Sequence, residues 1–599
     1  MKKNIISLIL LALYIQSAAQ VTDKRLAGID TFINRILKEW KVAGVSVTVV
    51  EKNKVLLTKG YGYKDFESKT PANENTLFFI GSCTKAFTSS LLSYPMADGL
   101  LDIDLPINNY LPELRFYNDE LTRNVTTRDM MCHRTGLPRH DLAWYNGKVS
   151  RDSILYTIRY FEPSAKLRQI WQYNNFMFAV QGVLAERLSK RTWDQLVKEK
   201  LFMPLGMQAS NTTLEDFQKS NNISLGYREK DGQILKMNYA NIYGMGPAGS
   251  ISSNAKDMAN WIIMWINGGK FNGKEIISPA YFNQAISSQM VVAGAIPRKD
   301  QQDMFFANYG FGWFLSNYRG HYRVEHGGNI DGFSTSTCFF PTDSIGIFVS
   351  VNQNASPVPS IIRNTIADKI LALSYKDWHK SQKEASEKSK AAGKEKLKAD
   401  SSQRKWGTKP SHSLADYVGT YKNEAYGQIT IKLSKDTLIA NFNGTDFKLK
   451  HYHYDYFTAI PVDEALADDE DLAMKGYFTT NIKGEIETFS LPLEPAVKDI
   501  EFKKETKTIN VTKEELEPFT GEYDLAGTMN VKVYIKGEKT LMVLVPGQPD
   551  YELLPVQENL FNLKIISGYS VRFEKDTNGK VTALYFIQPN GTFKAKRKN

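Results

Sequence analysis

Ser82-Cys83-Thr84-Lys85 stands where an extended apolar stretch, Thr76 to Ile80 closed by Gly81, gives way to a helix-like run. A serine hydroxyl is a poor nucleophile at neutral pH and needs a base beside it. Residues three apart on a helix are neighbours on its surface, so this spacing sets an amine next to a hydroxyl with no histidine required. The same Ser-x-x-Lys pattern occurs at Ser253-Asn254-Ala255-Lys256 and at Ser402-Gln403-Arg404-Lys405. The first lacks the strand-to-helix setting and the second lies in a lysine-rich, solvated stretch, so the setting rather than the letters selects Ser82.

Two further clusters carry matching chemistry. Tyr173-Asn174-Asn175 precedes a segment in which Phe176, Val180, Val183, Leu184 and Leu188 recur at helical spacing, a placement that can bring a phenol and an amide against the same hydroxyl. His326-Gly327-Gly328 closes the strand-like run Tyr322 to Glu325, and its glycines permit close approach to the backbone. Each pattern alone is common: Tyr239-Ala240-Asn241 and Tyr421-Lys422-Asn423 repeat Tyr-x-Asn, and Gly-Gly ordinarily marks only a bend. Their order along one chain is the informative feature.

The ordered set Ser82-x-x-Lys85, Tyr173-x-Asn175 and His326-x-Gly328 resembles the serine beta-lactamase and penicillin-binding-protein superfamily, in the branch holding class C beta-lactamases, D-stereospecific peptidases and related esterases. Supporting segments are His133-Arg134-Thr135-Gly136-Leu137-Pro138, Pro204-Leu205-Gly206-Met207, Pro247-Ala248-Gly249-Ser250-Ile251-Ser252-Ser253 with Asp257-Met258, and Tyr309-Gly310-Phe311-Gly312-Trp313. The resemblance implies that Ser82 is acylated while Lys85, its pKa lowered by desolvation, or a paired Tyr173 phenolate takes the proton. It further implies that Asn175 orients Lys85 and holds a substrate amide, and that Gly327 and Gly328 open the way to an oxyanion hole formed by the backbone amides of Ser82 and Asn329. No cofactor is required. Many beta-lactamases of the superfamily carry lysine where this chain has His326, whereas its peptidases and esterases use histidine. A histidine with an ordinary pKa near ~6.5 is mostly neutral at pH 7 and holds a carboxylate weakly. The expected activity is therefore hydrolysis of small esters or of D-amino-acid peptides and amides, cell-wall fragments included, rather than efficient beta-lactam turnover. The alternatives are a penicillin-recognising or peptide-binding protein with little turnover, and a true beta-lactamase.

The elements that must hold these groups read as α+β. Arg25 to Trp40 is helix-like, Gly44 to Glu51 and Lys54 to Gly60 form a hairpin, and the middle of the chain to about residue 285 is mainly helical. Strands return at Phe311 to Leu315, Tyr322 to Glu325, Ser334 to Phe340 and Ile345 to Asn352, before a helix from about Ile361 to Leu373. First and last strands are thus expected to share one antiparallel sheet flanked by helices, with the helical middle as an insertion. Pro95 should bend or stop the helix that begins at Ser82.

At 599 residues the chain is too long for one core. The expected organisation is a leader over 1–19, a hydrolase domain over 20–375, a charged linker over 376–410 and two beta domains over 411–506 and 511–599. The last two follow from an internal repeat: Leu414-x-x-Tyr417-x-Gly419-x-Tyr421 recurs as Leu516-x-x-Phe519-x-Gly521-x-Tyr523. In both copies an alternating run follows, Ile429, Ile431 and Leu433 matched by Val531, Val533 and Ile535. Small antiparallel β-barrels are expected, resembling the lipocalin-like modules of D-aminopeptidases.

Composition narrows the partners. The net charge is +10, but two lysines belong to the leader, and residues 376 to 409 hold 11 Lys or Arg against 5 Asp or Glu. The folded domains keep little basic excess, so nucleic-acid binding is not expected. Met1 to Gln20 reads as an export signal, with Lys2-Lys3, an apolar Ile5 to Tyr14 and small residues Ser17-Ala18-Ala19. This predicts an exported protein, in the periplasm of a bacterium, without stable membrane insertion after cleavage. Its oligomeric state is not legible. Three cysteines, an odd number without metal-ligand spacing, read as buried hydrophobes, with Cys83 pointing into helix packing. His451-Tyr452-His453 reads as a strand face, and no metal is expected.

Overall fold

The computed structural model describes residues 23–147, 149–293, 305–462, 473–566 and 568–598, with the backbone alone for 396–401. The leader expected over 1–19 lies outside the described residues. The chain forms two compact units, Met1–Ser402 and Gln403–Asn599.

The first unit is organised by an antiparallel sheet. Its strands are β1 (Gly44–Glu51), β2 (Lys54–Asp65), β3 (Thr70–Pro71), β4 (Met290–Ala293), β5 (Ala307–Tyr309), β6 (Phe314–Tyr318), β7 (His321–Ile330), β8 (Phe333–Phe340) and β9 (Ile345–Val351). They lie in the order β4-β5-β6-β7-β8-β9-β1-β2-β3. The N-terminal hairpin therefore closes onto the last strand, with Val45 opposite Val351 and Val49 opposite Ile347.

Alternation along β1 assigns its two faces. Val45, Val47 and Val49 join one core cluster with helix α1 (Ile29–Glu39), which contributes Ile29, Ile33, Ile36 and Leu37 at helical spacing. Thr48 faces the other way and donates its hydroxyl to the Ala255 carbonyl. Burying each such aliphatic side chain contributes roughly 1.5–3 kcal/mol.

The helical insertion supplies α2 (Thr84–Leu91), α3 (Asn175–Ser189) and α4 (Ala255–Ile266), and α5 (Val358–Ile370) follows the sheet. Helices α2 and α3 are tied by the Ser89 hydroxyl donating to Gln181 Oε1 at 2.9 Å. Phe87 of α2 stacks on Trp261 of α4 with ring centroids 3.6 Å apart. Helix α2 stops at Leu91, and Pro95 sits in a separate short helix, Ser93–Ala97, as a mid-helix proline requires.

Two details depart from the sequence reading. Strand β7 does not end before His326: it continues to Ile330, with Gly327 and Gly328 paired to Ser336 and Thr335 of β8. The physical reason is close approach, because a Cβ on Gly328 would overlap the Ile80 carbonyl oxygen. Cys83 points against the sheet rather than into helix packing, its thiol donating to the His326 carbonyl at 3.2 Å. All three cysteines are buried and free.

Trp378–Gln403 is one long helix, α6. Its first residues are anchored on the first unit: the Trp378 indole donates to Asp368 at 2.7 Å, and the Trp40 indole donates to His379. The second unit holds two closed eight-stranded antiparallel barrels, from Gly419–Asn423 to Ile500–Lys504 and from Gly521–Leu525 to Gly591–Arg597. The repeat in sequence is a repeat in space. Tyr421 donates its hydroxyl to the Tyr417 carbonyl at 2.8 Å, and Tyr523 donates to the Phe519 carbonyl at 2.8 Å.

Gly328→Ala is expected to destabilise the first unit by about 1–3 kcal/mol through forced backbone movement. Gly327→Ala, whose added methyl meets nothing nearer than the Thr335 carbonyl at 3.7 Å, should cost much less. Chemical denaturation of the two variants checks this contrast.

Candidate active site

A 3₁₀ turn, Gly81–Cys83, leads into α2 and presents Ser82 half-buried. One turn later Lys85 is wholly buried. Its Nζ has three oxygen neighbours: Ser82 Oγ at 3.0 Å, Asn175 Oδ1 at 2.7 Å and the Ala248 carbonyl at 2.7 Å. Burial pushes the Lys85 pKa well below its usual value, and the Arg139 charge adds to that shift, while Asp141 opposes it. A neutral amine has two N–H bonds and one lone pair. Two of its neighbours are carbonyl oxygens that only accept, so they take the N–H bonds and leave the lone pair to receive the Ser82 O–H.

The amide of Asn175 is held at both ends. Its Oδ1 faces Lys85, and its Nδ2 donates to Asp141 Oδ1 at 2.8 Å. Each end keeps one further site, an N–H and an oxygen lone pair, so these two bonds do not use up the carboxamide's capacity for the expected hold on a substrate amide. Asp141 also accepts from the Trp144 indole at 2.9 Å and from Arg139 Nε at 2.7 Å.

Tyr173 lies directly before Asn174, whose side chain caps α3 by accepting from the Met177 N–H. Lys85 Nζ is 4.8 Å from the Tyr173 ring centroid, and the half-exposed Arg139 guanidinium lies at the same distance from that ring. Burial raises the Tyr173 pKa, against the downward pull of a hydrogen bond with Ser82 and of the Arg139 charge. This shift disfavours a resting phenolate and favours the amine of the two bases considered.

His326 comes to the same place but in another capacity. Its ring centroid is 6.2 Å from that of Tyr173, yet it is buried with both nitrogens engaged. Nδ1 donates to the Gly327 carbonyl at 2.6 Å, which fixes Nε2 as acceptor for the Tyr309 hydroxyl at 2.9 Å. Burial lowers its pKa to about 3. The expectation of a weak carboxylate-holding imidazole is corrected on this geometry: no ring nitrogen is left for substrate.

The expected oxyanion donors lie on facing stretches of backbone. A Cβ built on Gly328 falls 3.0 Å from Ser82 N, and one built on Gly81, at φ +51°, falls 2.8 Å from Asn329 N. The Asn329 side chain is turned away, accepting from Ser334 Oγ and the Ala355 N–H, so its main chain is what it can offer. Ser253 of the alternative Ser-x-x-Lys pattern bonds to Ser210 instead, and Asn254 caps α4.

Sequence reasoning missed Asp141, Arg139, Tyr309 and the acceptor role of Ala248. Tyr309 and Ala248 fall inside segments already singled out, and Arg139 and Asp141 follow His133–Pro138 within three residues, but nothing in their spacing announces a place in the site around Lys85. His133 packs on Tyr173 with ring centroids 4.4 Å apart, its Nδ1 accepting from the Asn174 N–H. Among the described residues, no group of acidic, histidine and cysteine side chains could hold a metal ion, and no helix is long and apolar enough to cross a membrane.

Residues 29–372 match the family model described as Beta-lactamase, and residues 403–504 match one described as Domain of unknown function (DUF3471). "Unguisins hydrolase ungD'" of Aspergillus campestris (strain IBT 28561) is 29% identical over 427 residues, 67% of this chain and 76% of that protein. "Protein flp" of Staphylococcus aureus (strain MW2) is 24% identical over 350 residues, 58% of this chain and 66% of that protein. The octameric penicillin-binding protein homologue from Pyrococcus abyssi shares the fold, with a TM-score of 0.53 and 19% identity over 80% of this chain and 100% of that one.

Because the Arg139 charge lowers the Lys85 pKa, Arg139→Gln should raise it and move the acidic limb of kcat/KM to higher pH. The pH–rate profile on a chromogenic ester checks the direction.

Proposed function

The chain belongs to the Beta-lactamase family, and from that premise we propose that this serine hydrolase works through a Ser82 acyl-enzyme on small esters or on D-amino-acid peptides and amides. One observation carries the reading: a fully buried lysine whose Nζ lies 3.0 Å from the serine hydroxyl and 2.7 Å from each of two carbonyl oxygens, Asn175 Oδ1 and the Ala248 carbonyl.

The steps follow from this arrangement. Lys85 takes the Ser82 proton as Oγ bonds to the substrate carbonyl carbon, and the developing oxyanion lies toward the Ser82 and Asn329 amides. Losing one such donor typically costs about 3–4 kcal/mol of barrier. Collapse expels the alcohol or amine, protonated by the Lys85 ammonium or by the neutral Tyr173 phenol beside it. Water then attacks the ester on Ser82, its proton passes to the same pair, and the acid product leaves with the hydroxyl restored.

Substrate preference is argued from charge. The third-motif position holds a neutral, fully engaged imidazole, so it supplies no cation for a beta-lactam carboxylate, which favours esters and amides over penicillins. The apolar leader at Met1 to Gln20 supports export, and a bacterial periplasm is the proposed location.

The test is release of chromogenic leaving groups from short-chain esters, D- and L-amino-acid anilides, D-Ala-D-Ala peptides and nitrocefin, run beside Ser82→Ala. Esters or D-amino-acid amides should turn over fastest, and Ser82→Ala should lose at least a thousandfold, roughly the scale of removing a catalytic nucleophile. Nitrocefin as the best substrate would overturn the preference. A stable adduct on Ser82 without product release would point instead to a penicillin-recognising protein.

A further inference from the structure

The direction of the Lys85 lone pair depends on which end of the Asn175 amide faces the amine. A carboxamide presents either an acceptor or a donor, and the two ends are nearly the same shape. If the NH₂ group faced Lys85, two donors would oppose each other and the amine would have to turn its lone pair from Ser82 toward Asn175. Nothing within Asn175 forbids this. The restraint comes from the neighbouring loop, where Asp141 Oδ1 lies 2.8 Å from Asn175 Nδ2.

Resting on the acyl-enzyme reading above, we propose that Asp141 is a positioning residue: it locks the Asn175 amide with its oxygen toward Lys85 and thereby aims the amine's lone pair at Ser82.

The local structure is built for this role. Asp141 opens a 3₁₀ turn, Asp141–Ala143, directly after His140, which adopts a left-handed backbone at φ +50°. That conformation is uncommon for a residue other than glycine. It persists here with the His140 ring stacked on Phe161, centroids 4.3 Å apart, and Phe161 packed against Phe176, the residue after Asn175. The carboxylate and the amide it restrains are thus referenced to one aromatic stack. Trp144 Nε1 and Arg139 Nε donate to Asp141 from its other sides, so the carboxylate is fixed independently of Asn175.

Acceptor and charge can be separated by substitution. In Asp141→Asn the side-chain oxygen can still receive Asn175 and Trp144 while the NH₂ displaces only the half-exposed Arg139, so the lock survives and the negative charge is lost. Asp141→Leu removes both. The titratable and charged groups around Lys85 are Cys83, Tyr173, His133, His326, Arg139 and Asp141. Of these, Asp141 raises the Lys85 pKa, so loss of its charge moves the acidic limb of acylation to lower pH.

The experiment measures single-turnover acylation of Ser82 by a p-nitrophenyl ester across pH in full-length protein, with labelling confirmed by mass spectrometry. Asp141→Leu should acylate at least about tenfold more slowly, the worth of roughly one hydrogen bond at 1.4 kcal/mol per decade. Asp141→Asn should lose markedly less, and its acidic limb should shift to lower pH. A double-mutant cycle gives the sharper answer: in an Asn175→Ala background, Asp141→Leu should add little further loss, because the residue acts through Asn175. Additive losses, or equal rates for Asp141→Leu and wild type with Ser82 still labelled, would overturn the proposal alone. No label on Ser82 in wild type would overturn the acyl-enzyme reading and this inference with it.

Discussion

A lysine side chain buried without a carboxylate in contact is the constraint on which this site depends. Burial disfavours the ammonium, and in Lys85 that disfavour is turned to use: the pKa is held well below its usual value, and the hydrogen-bond partners dictate the orientation of the amine. The remaining features follow from keeping that amine dry and aligned. Helices α2 and α3 pack on each other to bury it, the turn at Gly246–Gly249 brings the Ala248 carbonyl to it, and Asp141 approaches only through Asn175. A carboxylate in direct contact with Lys85 would stabilise the ammonium and remove the base. At one residue's remove, it orders the network while exerting only part of its charge.

The sheet serves the same end from the opposite side. Strand β7 runs past the Ser82 turn close enough that only glycine fits at 328, and this approach sets the backbone of Asn329 against that of Ser82. His326 explains how the strand is held there. Its imidazole bridges the Tyr309 hydroxyl of β5 and the Gly327 carbonyl of its own strand, in the aromatic layer formed by Tyr173, His133 and Phe314. A lysine at 326 would place an ammonium in that layer with one fewer acceptor geometry to satisfy it, so the residue type matches its surroundings as well as any substrate.

Much of this was legible in sequence where the signal is periodic or local. The alternation in β1, the helical spacing of α1, the proline break after Leu91 and the 102-residue offset between Tyr421 and Tyr523 each reflect a short-range rule, and the sheet that joins β1 to β9 follows from placing strands at both ends of a helical middle. The groups gathered around Ser82 were marked by residue type and order. What sequence did not disclose is which partner each group faces. The second neighbour of Asn175, Asp141, was hidden because it lies on a loop 34 residues away whose turn follows a left-handed His140. His326 read as available because its partner Tyr309 sits across two strands. The strand continuing through Gly327 and Gly328 was hidden for a similar reason: glycine weakens a strand unless a neighbouring backbone demands its absence of a side chain.

The central claim is that Lys85 is a neutral amine in the resting protein, and it is tested most directly by following the Lys85 ¹³Cε resonance through a pH titration of protein labelled at lysine, assigned with Lys85→Arg. The account predicts a titration displaced well below the ordinary lysine range. A resonance that stays that of an ammonium until pH 10 would contradict it, because a charged Lys85 has no lone pair with which to receive the serine proton.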